Sequence, residues 1–165
     1  MAATTDSSAR TSAGTTRLIE EIAVGDQVAP SRPQRAAGAA ELGAGNVWLA
    51  GGSGITPMLG LLATMTDSPA PVTLLWLRRG NPPVELTDQL AALAAARPWL
   101  QVRVVDTLTA PRVTAADIIT AGGVPAGELR VRMCGSMPML NDLYPALTAA
   151  GVAASCIDVE SFAFR

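Results

Sequence analysis

The chain has 165 residues, 49% of them apolar and 16% charged, and a net charge of −2 from 12 basic and 14 acidic side chains. That is enough for one folded domain with a real core, and too apolar for a disordered chain. All 12 basic residues are arginine, with no lysine, no histidine and no basic run, which excludes Schiff-base chemistry, a histidine base and histidine-bound metal and leaves nucleic acid and anionic membranes as poor partners.

Arginine-only basicity together with alanine richness points to a high-GC bacterial genome. Cys134 and Cys156 are the only thiols. Two cysteines do not make a zinc site, so no metal is expected. The N-terminus is small and polar without an apolar signal core, so a cytoplasmic protein with reduced cysteines is expected.

In chain order, residues 1–16 read as a polar arm. Leu18, Ile19, Ile22, Val24 and Val28 then flank a Gly25-Asp26 turn, and the following Ala- and Gly-rich stretch reads as a linker. Val47–Ala50 is a short apolar strand that ends in Gly51-Gly52-Ser53-Gly54. Thr56 follows as a helix N-cap with Pro57 in the first turn, and Met58, Leu59, Leu61, Leu62 and Met65 form a helical stripe. Residues 72–77 read as a buried strand and 84–96 as a helix with Leu86, Leu90 and Leu93 on one side. Residues 100–107 alternate as a strand, 113–122 form a short helix, and 129–135 run as a strand into glycine. Residues 137–151 form a helix closed by Gly151, and 153–162 are a last strand.

This alternation predicts an α/β fold, a five-stranded parallel sheet with helices on both faces, over residues 46–165. Residues 1–45 are left as arm, partial domain and linker. The uncharged run 47–65 is long enough to span a bilayer. Its glycines and Pro57 sit in mid-segment, however, and no aromatic or basic flanks anchor it, so it reads as a βα unit.

A strand that passes through glycines into a helix N-terminus suits an anion, because bare backbone admits a phosphate and the helix dipole favours negative charge. Gly51, Gly52, Ser53, Gly54 and Thr56 are the candidates. The spacing is not G-x-G-x-x-G, and a tight turn that needs small residues explains the same pattern.

Three stretches raise the specificity. Residues 50–59, "AGGSGITPML", resemble the pyridine-nucleotide motif of the ferredoxin–NADP reductase superfamily. Residues 131–152, from "VRMCGSMPM", resemble its second motif, and "IDVESFAFR" resembles its C-terminal ending. The resemblance implies a Rossmann-like nucleotide-binding domain. It places Gly51 to Pro57 at a pyrophosphate and nicotinamide, Cys134 and Gly135 beside the nicotinamide ring, and Glu160 near the hydride-transfer locus. Arg78 and Arg79 would meet the adenosine ribose or a 2′-phosphate; a solvated turn accounts for them equally well. Ser136 and Pro138 depart from the pattern, since the family places proline directly after the glycine.

The resemblance continues backwards over residues 14–33, which look like the tail of the superfamily's flavin-binding barrel. The arginine-x-tyrosine-serine flavin motif is absent from the sequence, Gly14-Thr15-Thr16 alters the phosphate turn, and there is no cysteine cluster for an iron–sulfur centre. A nicotinamide hydride needs an acceptor held close by. The favoured expectation is therefore an enzyme without cofactor. It resembles the reductase-derived cyclisation enzymes of polyether and tetronate polyketide pathways. Such an enzyme would fold an apolar small-molecule substrate into a reactive conformer in a cleft lined by Ser53, Thr56, Asp106, Cys134, Ser136 and Glu160. Glu160 would act as acid or base if buried, Thr56 and Ser136 would polarise a carbonyl, and Cys134 is a weaker nucleophile candidate. A sheet face bearing Met137, Phe162 and Phe164 would pair copies of the chain in a homo-oligomer. The alternative is the NAD(P)H-binding subunit of a split reductase, with NADP or NAD on this chain and flavin on a partner chain. The last reading is a non-enzymatic binder or a piece of a full reductase.

Overall fold

Val47 and Leu49 face one side of their strand and Trp48 and Ala50 the other, and all four are buried, so this strand must be covered on both faces. The computed structural model, which describes residues 42–161, shows how. Five strands, β1 (Gly45–Gly51), β2 (Val72–Arg78), β3 (Leu100–Asp106), β4 (Leu129–Gly135) and β5 (Ile157–Ser161), form one sheet in the order β3-β2-β1-β4-β5. Every neighbouring pair is parallel. Four helices connect them: α1 (Ile55–Thr64), α2 (Val84–Ala95), α3 (Ala115–Gly122) and α4 (Met137–Ala149).

The helices divide between the faces as the strand periodicity demands. Ile55, Met58 and Leu62 of α1 and Leu90 of α2 bury against Trp48, Leu74 and Trp76. Ile118 of α3 and Leu140, Leu143 and Leu147 of α4 bury against Val47, Leu49, Leu75, Val131 and Met133. Two buried polar side chains are satisfied. Asn46 donates Nδ2 to the carbonyls of Gly43 and Pro71, both at 3.1 Å, and Thr73 donates Oγ1 to the Ala121 carbonyl at 3.0 Å.

The chain starts at the sheet centre, runs outward through β2 and β3, then returns to β4 on the other side of β1. The order reverses between β1 and β4, and in such sheets a crevice opens at the carboxyl ends of those two strands.

Several boundaries differ from the sequence expectation. The first helix starts at Ile55 after a 3-10 turn over Gly52–Gly54. Thr56 is therefore inside the first turn, and its Oγ1 donates to the Ser53 carbonyl at 2.9 Å instead of accepting as a cap. The third helix starts two residues later than expected, because Thr114 and Asp117 form a reciprocal capping box. The last strand is shorter, since Ala154–Cys156 turn as a 3-10 helix before β5. Gly151 has φ +99°, as a residue that closes a helix would. The arm, the barrel-like stretch, Phe162 and Phe164 lie outside the described residues; Met137, the other member of the expected apolar face, is 45% exposed. Among the described residues, no helix is long and apolar enough to cross a membrane, and no group of acidic or cysteine side chains could hold a metal.

Candidate functional site

Gly51 ends β1 and Gly135 ends β4, the two strands that flank the reversal. They lie against each other: a Cβ built on Gly135 would stand 3.2 Å from the Gly51 Cα. Met139 of α4 closes over the pair, 2.6 Å from the same hypothetical Cβ. A larger side chain at either strand end would have to displace the Met139 thioether.

A cavity of about 750 Å³ opens here, within the range of small-ligand sites. Its walls come from the β1–α1 turn, the end of β2, the β3–α3 loop and the first turn of α4. Of the sequence candidates, Gly51, Gly52, Ser53, Arg78, Arg79, Gly135 and Ser136 line it. Gly54, Thr56, Cys134 and Glu160 do not.

Each of those four has a visible reason. A Cβ on Gly54 would be 2.1 Å from the Cys134 carbonyl oxygen, so this glycine seats the turn on β4 rather than facing a ligand. Thr56 is spent on the Ser53 carbonyl. Cys134 is wholly buried, and burial, with Glu160 adding to it, pushes its thiol up to about 11. It is protonated at neutral pH and no nucleophile. Glu160 is exposed on the edge strand β5, in register with Cys134, so it lacks the burial on which its acid–base role was premised. The expected cleft of Ser53, Thr56, Asp106, Cys134, Ser136 and Glu160 is thus not one site.

The turn over Gly52–Gly54 is held from behind. Trp76 of β2 donates its indole Nε1–H to the Gly52 carbonyl at 2.9 Å. Gly52 has φ +55° and nothing within 4 Å of where a Cβ would be, which leaves its backbone open on the cavity side. Neither this turn nor α1 has a side-chain cap or an acidic residue in its first turn. The same holds for α4, whose N-cap Ser136 makes no capping bond. The start of α4 therefore meets the cavity with its N–H donors uncapped by side chains.

Arg78 is already committed in part. It lies over the Trp76 ring, 5.4 Å from the centroid, and donates Nε to the Gly80 carbonyl at 2.7 Å. Its Nη2 donates to the carbonyls of Arg79 and Asn81. This clasps the loop after β2 and leaves Nη1 for other acceptors. Asp106 helps from the neighbouring strand, accepting from the Leu108 and Gly80 amides, each at 3.0 Å. Those two bonds hold its carboxyl below the ordinary value. The Arg79 side chain is exposed and makes no hydrogen bond or ion pair among the described residues.

Sequence reasoning missed Arg112, Thr107 and Met139. Arg112 lines the cavity and pairs with Asp142 of α4. The lining thus has three arginines, one uncapped helix start and no carboxylate. Such a wall suits a ligand that carries negative charge.

No family model matches the chain. It is 29% identical over 113 residues to the ferredoxin reductase component of 3-ketosteroid-9-alpha-monooxygenase from Rhodococcus rhodochrous, covering 67% of this chain and 32% of that protein. It is 36% identical over 104 residues to NADH-cytochrome b5 reductase 2 from Gallus gallus, covering 56% and 34%. The chain spans about a third of the length of these curated relatives. The CS-b5R domains of human Ncb5or, solved in the NAD+ form, superpose with a TM-score of 0.64 at 22% identity over 90% of this chain and 45% of that one. The fold is thus the Rossmann-like nucleotide-binding fold of ferredoxin–NADP reductase-type proteins, as the sequence motifs implied. The expectation of an enzyme without cofactor is overturned: both relatives are reductases, one named for NADH, and the human structure is an NAD+ form. The cavity agrees in kind, since a cationic wall is poorly matched to a purely apolar substrate.

Proposed function

We propose that this cavity binds NADH or NADPH and that the chain is the nucleotide-binding part of a flavin-dependent reductase. Its flavin would be held outside residues 42–161, on a partner chain or elsewhere in the protein. The observation that carries this reading is the lining itself: three arginines, the Gly52–Ser53 turn and the uncapped start of α4 around paired strand-end glycines, with no carboxylate.

When bound, such a nucleotide supplies a hydride. The residues of this chain bind and orient it. The turn at Gly51–Ser53, pinned by Trp76, presents backbone N–H groups to a pyrophosphate. Arg78 and Arg79 line the end of the cavity next to β2, and in this reading they meet a ribose or a 2′-phosphate there. Gly135 and Met139 line the cavity at the end of β4, where the missing side chain of Gly135 lets Met139 and Gly51 pack close. Leu77, Val113 and Leu143 supply apolar wall and limit water.

Isothermal titration of the purified protein with NADPH and with NADH, with the visible spectrum recorded alongside, tests the proposal. Saturable micromolar binding is expected for at least one. The absence of binding by either would refute it.

A further inference from the structure

We infer, resting on the nucleotide-binding reading above, that Arg112 is a specificity-determining residue of this cavity, an anion-binding arm for which Asp142 competes. Three observations lead there. Arg112 is one of the three cationic lining groups, and it is the one that no resemblance or motif places. Its partner Asp142 is not part of the lining, so the pair holds the guanidinium at the rim while the carboxylate stays outside. Both side chains are open to water, 76% and 54% exposed, and an exposed pair of this kind adds little to fold stability.

The placement matters more than the strength. Arg112 sits near the end of the β3–α3 loop, which also lines the cavity through Thr107 at its start and Val113. Asp142 lies one helical turn beyond Met139 on α4, which forms another wall. The pair ties the two walls together at the mouth. A phosphate or pyrophosphate offers the guanidinium fork more charge and more acceptor oxygens than one solvated carboxylate. Arg112 therefore exchanges Asp142 for a ligand phosphate, and selects nucleotides with phosphate groups over their dephosphorylated counterparts. Asp142 sets how much of that attraction is spent internally.

The test uses Arg112→Gln, Asp142→Asn and the double variant, with circular dichroism and thermal midpoints to establish folding. NADPH, NADH and, separately, inorganic pyrophosphate are titrated at low and moderate salt. Arg112→Gln is expected to weaken nucleotide binding about three- to tenfold, and Asp142→Asn to tighten it about two- to fivefold, both less at higher salt. In the double variant the gain from Asp142→Asn disappears. A strap that merely holds two walls together predicts weaker binding from both single changes, and that result overturns the inference. If Arg112→Gln does not fold, the sign of the Asp142→Asn effect decides alone. If the unmodified protein binds neither nucleotide, the nucleotide reading fails, and pyrophosphate decides the inference: affinity reduced by Arg112→Gln upholds it, and affinity unchanged overturns it. Binding of neither nucleotide nor pyrophosphate overturns both.

Discussion

Alanine at Gly54, Gly52 and Gly60 separates three reasons for glycine within one βα unit. At Gly54 the new Cβ would stand 2.1 Å from the Cys134 carbonyl oxygen and 2.7 Å from its carbon, both backbone atoms of the central strand β4. A flexible side chain could swing away, but a carbonyl in the sheet ladder cannot. Relief requires about an ångström of movement between the turn and β4 in an interior with little slack. Gly54→Ala should therefore cost about 3 kcal/mol, the upper end for overpacking. Gly52 has φ +55° and open space, so Gly52→Ala meets only the left-handed backbone penalty, about 1 kcal/mol. Gly60 lies inside α1, again with nothing within 4 Å. There alanine removes backbone freedom from the unfolded chain, and Gly60→Ala should stabilise by about 0.5–1 kcal/mol. Urea unfolding followed by far-ultraviolet circular dichroism gives all three against the unmodified protein. Similar m-values are needed for the comparison to hold. A Gly54→Ala protein as stable as the parent would refute the close seating of the turn on β4, and a destabilised Gly60→Ala would refute the solvent-facing placement of that glycine.

Three further outcomes follow from individual contacts. Trp76→Phe keeps an aromatic ring but loses the 2.9 Å bond to the Gly52 carbonyl and part of the buried indole volume; stability should fall by about 2–3 kcal/mol, and titration should show weaker nucleotide binding as the turn loosens. The Cys134 thiol is raised from 9.0 to about 11, so its contribution to stability is full below 9.0 and is lost as pH rises toward 11; at neutral pH iodoacetamide should modify half-buried Cys156 while Cys134 reacts only as the protein unfolds, read by peptide mass spectrometry. The Leu108 and Gly80 amides hold the Asp106 carboxyl below 3.8, so its stabilisation is present above that value and is lost as pH falls through the lower folded one. Amide protection at Gly80 and Leu108 should accordingly collapse on acidification, and Asp106→Asn should show reduced protection at every pH, with no acid step.

The fold was legible because it rests on patterns that local chemistry writes directly. Residues 47–50 and, apart from Thr73, 72–77 are continuous apolar runs, as strands covered on both faces require. The helical stripe after Pro57 fixes the first crossover. Errors at the element ends came from hydroxyl groups that can donate or accept. Thr56 looks like an N-cap in sequence and donates instead, whereas Thr114, which is an N-cap, lay inside the expected helix. Nothing local distinguishes the two, since the choice depends on where the preceding turn places its carbonyls.

The site was legible only in the parts that belong to a single turn. Gly51 to Ser53 and Gly135-Ser136 share the cavity lining because a strand end, a turn and a helix start are contiguous in the chain. Cys134 and Glu160 were drawn in by the same contiguity and excluded by pleat: one residue before Gly135 a side chain points into the core, and its partner across the ladder sits on the edge strand. Arg112 shows the opposite failure. It lies in an irregular stretch between β3 and α3, with no periodicity around it, and its partner Asp142 is 30 residues away on another element. Its value as a ligand contact comes from the strand order. Only because β4 inserts beside β1, on the far side from β2, does α4 stand next to the loop that follows β3. A charged residue in such a loop carries no local sign of which wall it will meet, so the electrostatics of the cavity emerge from topology. The expected cleft, with Asp106 and Glu160 among its residues, was assembled largely from two motifs and missed the arginine that the fold delivers to the cavity.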